Sequence, residues 1–366
     1  MDLDKTASNK RFVSSIPHGV LSQFLKEKGG VEGRDSALCV HHLEGGIGDA
    51  PPVYVQSYST TNLSEFLREL EESGDVEALT SWSVERCGKI WFRYRCDGDG
   101  KEHFVRKPWL CRRRRWCPRC ADAYVRLKVE HAIETFEMIE GWRDIELYLI
   151  HLEFTFPQEF WQGIVDDPDP AFECVYEALR YPNGLSGGIA ALHLWHSRNP
   201  LDGWYPHIAV VVPNVVVVKN GGLKWFRRVR PWFNEKLLKE RFAKAIEKRF
   251  GVKVEPNVYV SYVKFSDKAR VKHLLRYTFR LPIHDLVPYL KGGLSDEVKK
   301  FVVELVNYPR KRIRWFGWLA DGVKSRYMPF VKWSDWLKKK KEEWMFCPIH
   351  HKPLVYVGYD GLDPPI

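Results

Sequence analysis

Apolar and polar positions alternate strictly from Glu146 to Phe156. Tyr148, Ile150, Leu152, Phe154 and Phe156 take one side, and His151, Glu153 and Thr155 the other. A period of two is that of a strand with two unlike faces, and Pro157 ends it. Further strands are predicted over Gly188–Trp195, Trp204–Val212 and Asn257–Lys264. Steps of three to four residues predict helices over Val129–Trp142, Asn234–Phe250 and Asp267–Phe279, the last ending before Pro282. A helical stretch separates the first two strands, and Leu63–Leu79 suits one short amphipathic helix. The order predicts an α+β fold: an antiparallel sheet with helices on one face.

The chain has 366 residues, enough for two or three domains. Apolar residues make up 45% and charged residues 28%, which supplies a core and excludes wholesale disorder. The opening, Met1 to Pro17, is polar, and Ile208–Val218 is too short and too broken by Pro213 and Asn214 to span a bilayer. An intracellular, cytoplasmic protein is expected. The punctuation divides the chain into an N-terminal accessory region (1–80), a cysteine-rich basic module (81–128), a central α+β domain (129–320) and a basic, Trp-rich C-terminal region (321–366).

Charge sharpens this picture. The net charge of +10 is concentrated between Arg86 and Lys128, where 14 basic residues face 4 acidic ones; the rest of the chain is balanced. The same segment holds five of the eight cysteines. In a reducing compartment, clustered cysteines are metal ligands rather than disulfides. Cys117-Pro-Arg-Cys120 is a CxxC knuckle with Cys111 six residues upstream. A tetrahedral zinc ion needs two ligands beyond the knuckle. Cys111 and Cys96 are the simplest pair, and Cys87 or His103 can replace Cys96. Arg112, Arg113, Arg114 and Arg115 lie inside the loop; four adjacent guanidiniums call for a counter-charge, and phosphate supplies one.

Three further segments line up in order: Leu149-IHLEFTF-Pro157, Trp204-YPHIAVV-Val212, and His273-LLRYTF-Arg280. With CRRRRWCPRC before them and Lys311-RIRWFG-Trp318 after, they resemble the motifs of the HUH endonuclease superfamily. The likeness is to rolling-circle replication initiators of plasmids and viruses and to rolling-circle transposases, and covers about residues 87–320. It implies an HUH/ferredoxin-like nuclease core behind a zinc module. It implies an enzyme that nicks and rejoins single-stranded or hairpin DNA at an origin, through a phosphotyrosine and with Mn²⁺ or Mg²⁺. Tyr277 is then the nucleophile and His207 a metal ligand, with Arg276 and Arg280 near the phosphate.

One position departs from the pattern. The partner two residues after His207 is Ala209, which binds no metal. Another residue completes the site (Glu153, His193 or His196), or the nuclease is weakened or lost, or the alanine is a substitution that traps an inactive form. A single tyrosine, with His273 one turn earlier, suits an initiator better than a two-tyrosine transposase. An origin-binding protein without cleavage is the reading from another class. Between Arg310 and Lys341, Trp315, Trp318, Trp333 and Trp336 alternate with eleven cations, an arrangement for stacking bases or for packing a helix. Cys347, His350 and His351 form half a metal site.

Overall fold

The computed structural model describes residues 60–74, 80–97, 102–141, 145–180, 184–185, 187–195, 205–218, 223–226, 234–286, 303, 312–320 and 333–361. Cys39, His196 and most of the accessory region lie outside them. The helices are α1 (Thr60–Glu72), α2 (Thr80–Arg86), α3 (Pro118–Gly141), α4 (Trp161–Asp166), α5 (Asp169–Ala178), α6 (Glu235–Phe250), α7 (Lys268–Phe279), α8 (Pro282–Leu286) and α9 (Trp333–Glu343). The strands are β1 (Ile90–Asp97), β2 (Glu102–Pro108), β3 (Tyr148–Thr155), β4 (Gly184–Leu185), β5 (Gly187–His193), β6 (His207–Pro213), β7 (Val215–Val218), β8 (Leu223–Trp225), β9 (Asn257–Lys264), β10 (Ile313–Gly317) and β11 (Val355–Gly361).

The fold is α+β. Five strands form one antiparallel sheet in the order β10-β5-β6-β3-β9, so the strand with the clearest alternation, β3, lies inside it. One face carries Ile150, Leu152 and Phe154 with Leu192, Ile208 and Val210, and packs on Phe172 and Val175 of α5 and Leu238, Phe242 and Ile246 of α6. The opposite face carries Leu149, Ile189, Val211 and Val263, and packs on Phe136 and Ile139 of α3 and Val271, Leu275 and Phe279 of α7. The expectation of helices on one face is therefore corrected: both faces are covered. The physical reason lies in β5 and β6, where every residue is buried. A strand apolar on successive residues has no side fit for water.

Local signals place the helices beside the sheet. Asn234 caps α6, its side chain accepting from the Leu237 amide at 3.3 Å, and Gly251 closes the helix in the left-handed conformation at φ 72°. Asp267 caps α7 through the Arg270 amide at 3.1 Å. Helix α3 starts eleven residues before the predicted Val129. Pro118 occupies its first turn, where a missing amide costs nothing, and the basic composition there hid the helical period. In the core, the fully buried Phe242 ring lies 4.9 Å from both Phe154 and Phe156. Phe242→Ala is expected to destabilise the protein by about 3–5 kcal/mol, read as a lowered denaturant midpoint.

A second, three-stranded sheet runs β11-β1-β2, so the C-terminal strand pairs with the cysteine-rich module. Among the described residues no helix is long and apolar enough to cross a membrane.

Candidate active site

Strand register decides which polar residues meet. On the face covered by α7, Thr155 pairs with His207, His207 with His193, and Glu153 with Ala209. Directly opposed residues share a face. His193 and His207 therefore stand side by side, their rings 5.1 Å apart, with Glu153 and His151 on the next strand. Helix α7 lowers Tyr277 onto this group. Its hydroxyl donates to Glu153 Oε1 at 2.9 Å and lies 3.2 Å from His207 Nε2. His207 Nδ1 sits 3.0 Å from the Tyr205 carbonyl; donation there leaves the Nε2 lone pair toward the phenol. One phenolic proton thus faces two acceptors. Tyr277 and Glu153 are half-buried.

The remaining imidazoles are deeply set. His193 is 6% exposed, with Nε2 3.4 Å from the Thr278 carbonyl and no hydrogen-bond partner at Nδ1. His151 is also 6% exposed; its Nε2 has no hydrogen-bond partner and lies 3.6 Å from Glu153 Oε1. Burial holds the His193 pKa well below the usual histidine value, with His207 and Arg280 pushing the same way. Burial also lowers His151, against the opposing pull of Glu153. Both shifts favour the neutral ring, the form that offers a lone pair to a metal. Unpartnered imidazole nitrogens beside a carboxylate are donors of the kind a divalent cation accepts.

Two predicted phosphate contacts are placed differently from one another. Arg276 is exposed on α7. Arg280 instead enters a largely buried ion pair, its Nε 3.1 Å from Asp285 Oδ2 on α8, and lies 5.2 Å from the Tyr277 ring centre. Trp195 Nε1 donates to the same carboxylate at 3.2 Å. Burial pushes the Asp285 carboxyl up, while Arg280 pulls it down. This pair positions the tyrosine helix. His151 escaped selection as a site residue although its signal was legible, since it lies two residues before Glu153 on the same strand face. His196, the other proposed ligand, lies outside the described residues.

The cysteine module closes on a different set from the simplest one. Cys87, Cys111, Cys117 and Cys120 bring their sulfurs within 4.8 Å of one another and can hold a metal ion. Cys120 Sγ is 3.4 Å from Cys111 Sγ and 3.6 Å from Cys87 Sγ. Cys96 is not in this set. Hairpin register gives the reason: the Gly88 amide donates to Trp109 O at 2.9 Å, which puts Cys87 and Cys111 at the hairpin's base. Cys96, opposite His103, lies five residues beyond Trp91, about 17 Å at strand rise. The Cys117 thiol is pushed up and the Cys87 thiol down, chiefly by hydrogen bonds with Cys111. In the loop, Arg112, Arg114 and Arg115 are exposed and Arg113 is half-buried, with Arg114 4.5 Å from the Tyr124 ring centre.

Of the C-terminal tryptophans Trp315, Trp318, Trp333 and Trp336, Trp318 and Trp336 are buried. Trp336 stacks on Trp333 at 5.4 Å and both rings meet His131 of α3, so this pair packs a helix face.

Comparison with protein-family models, curated proteins and solved structures gives no match.

Proposed function

We propose that the chain is an HUH-type endonuclease that nicks and rejoins one DNA strand to start rolling-circle replication, with single-stranded or hairpin origin DNA as its partner. The antiparallel sheet, read as the HUH/ferredoxin-like core, and the four-cysteine set, read as structural zinc, belong to this proposal. One observation carries it: the Tyr277 hydroxyl touches both Glu153 and His207 in a half-buried setting.

The chemistry follows from these contacts. The Tyr277 oxygen attacks a backbone phosphorus as its proton passes to Glu153 or His207. An O–P bond to tyrosine forms, the bond to the 3′ oxygen breaks, and that oxygen takes up a proton and leaves as a free hydroxyl. The reverse attack by a 3′ hydroxyl reseals the strand and returns the proton to the phenol. His207, Glu153, His193 and His151 are the residues that would hold a divalent cation. Such an ion supplies charge neutralisation at the scissile phosphate. The Arg280–Asp285 pair ties the end of α7 to α8, and Trp195, just beyond β5, donates to the same carboxylate.

The test is incubation of the protein with 3′-labelled single-stranded oligonucleotides, tiled across the DNA flanking its gene, in Mn²⁺. A labelled adduct that survives denaturing electrophoresis is the expected result. Absence of the adduct, with retained binding to one oligonucleotide, would instead favour the origin-binding reading that Ala209 keeps open. Transposition is the same chemistry on element ends, and oligonucleotides from those ends separate it.

Ala209 is fully buried and faces Glu153 in the ladder, so the carboxylate stands where a second motif histidine would be needed. Ala209→His is therefore expected to leave nicking no faster and to cost about 1–3 kcal/mol in stability from overpacking. A faster variant would show that Glu153 does not fill that place.

A further inference from the structure

The C-terminal tail repeats a device from the cysteine module. Cys347-Pro-Ile-His350 has the spacing and the proline of Cys117-Pro-Arg-Cys120, with histidine in place of the second cysteine. The turn is tight: the Cys347 amide donates to Lys352 O at 2.7 Å, the His351 amide to Cys347 O at 2.9 Å, and the His350 amide to Cys347 Sγ at 3.4 Å. An amide aimed at a sulfur stabilises a thiolate. Cys96, left over from the four-cysteine set, meets this turn from the other sheet strand. His350 Nδ1 lies 3.5 Å from Cys96 Sγ and 3.6 Å from Cys347 Sγ, and all three ligand atoms fall within 4.8 Å of one another. Both thiols are fully buried.

We propose that Cys96, Cys347 and His350 form a second zinc site that clasps the C-terminal strand to the β1–β2 hairpin. Two thiolates and an imidazole at these separations are a soft donor set suited to zinc. Apart from the β1–β11 ladder, little apolar packing holds the tail. Among the described residues the local core buries Cys96, Cys347 and Leu354, with Tyr94 and Val105 beside them. Strand β11 is exposed at most positions, and Trp344, Met345, Phe346 and Ile349 stand exposed around the turn. A small element with little apolar burial needs a covalent or metal cross-link to stay folded. The ligands come from sequence positions about 250 residues apart, so one ion closes a loop containing the whole catalytic domain. The proposal stands independently of the nuclease reading.

Zinc is measured by elemental analysis of the full chain after gel filtration under reducing conditions. Two zinc ions per chain are expected, falling to one in Cys347→Ser and in His350→Gln. Amides of 355–361 should then exchange with solvent more than about tenfold faster, while the sheet of the catalytic domain keeps its protection. One zinc in the wild-type chain overturns the proposal. So does a Cys347→Ser chain that retains two, or a Cys96–Cys347 disulfide found by mass analysis before and after reduction. If Cys347→Ser proves insoluble, His350→Gln and a cobalt-loaded wild-type chain carry the test. Cobalt titration should reach its thiolate charge-transfer plateau at two equivalents; a plateau at one overturns the site.

Discussion

Tyr277→Phe is expected to abolish the covalent protein–DNA adduct and to leave the folded protein almost unchanged. In the proposed mechanism the substitution removes the attacking oxygen, and loss of an enzymatic nucleophile typically costs on the order of 10⁴–10⁶ in rate. The structural cost is small by comparison. The lost hydroxyl donates to Glu153, which is 22% exposed and can turn to water, so about 1 kcal/mol is at stake. The ring keeps its edge contacts with His193 at 4.9 Å and His151 at 5.7 Å. Tyr259→Phe is the matched control, because its ring lies 6.3 Å from His151 on the same face yet on a strand. An adduct that persists in Tyr277→Phe and vanishes in Tyr259→Phe would transfer the nucleophile to the strand. Persistence in both would remove the phosphotyrosine step altogether.

Much of this geometry was legible in the residues because it depends on period. Alternation along β3 separates Ile150, Leu152 and Phe154 from His151, Glu153 and Thr155, and the structure puts these sets on opposite faces. The same rule aligns His193 and His207 once their strands pair. What period does not encode is partnership across long gaps. Arg280 reads as a free cation until Asp285 and Trp195, from a short helix and a neighbouring strand, enclose it. Cys96 looks nearer the knuckle than Cys87 in sequence, but the hairpin register reverses the order in space. The predicted helix over Leu63–Leu79 meets a similar limit. It ends at Glu72, and a separate helix α2 then packs beside it, bringing Leu63, Phe66 and Leu67 into the cluster that contains Cys87. Local propensity gives helix and strand; register and burial, settled only when distant segments meet, choose the partners.

Cys120→Ser is expected to have the largest effect on stability. The residue lies in the first turn of α3, where the helix N-terminus favours a thiolate, and its sulfur touches those of Cys87 and Cys111. Structural zinc contributes roughly 10–16 kcal/mol of apparent binding energy in small peptides, and its loss here would leave three thiols, those of Cys87 and Cys117 buried, around a weaker ligand. Damage should spread, because Cys87, Cys117 and Cys120 pack in the same cluster as α1, α2 and the inner sheet face. The expected results are one fewer zinc per chain, a lower melting temperature and early exchange of the β1–β2 hairpin. DNA binding should report the same event through salt. If Arg112–Arg115 contact phosphates, disordering their loop lowers the slope of log affinity against log salt by up to about 3 for single strands. Cys347→Ser separates the two metal sites, since it should free β11 and leave that salt slope alone. A Cys120→Ser chain with its full zinc content and the wild-type melting temperature would show that these four thiols hold no ion.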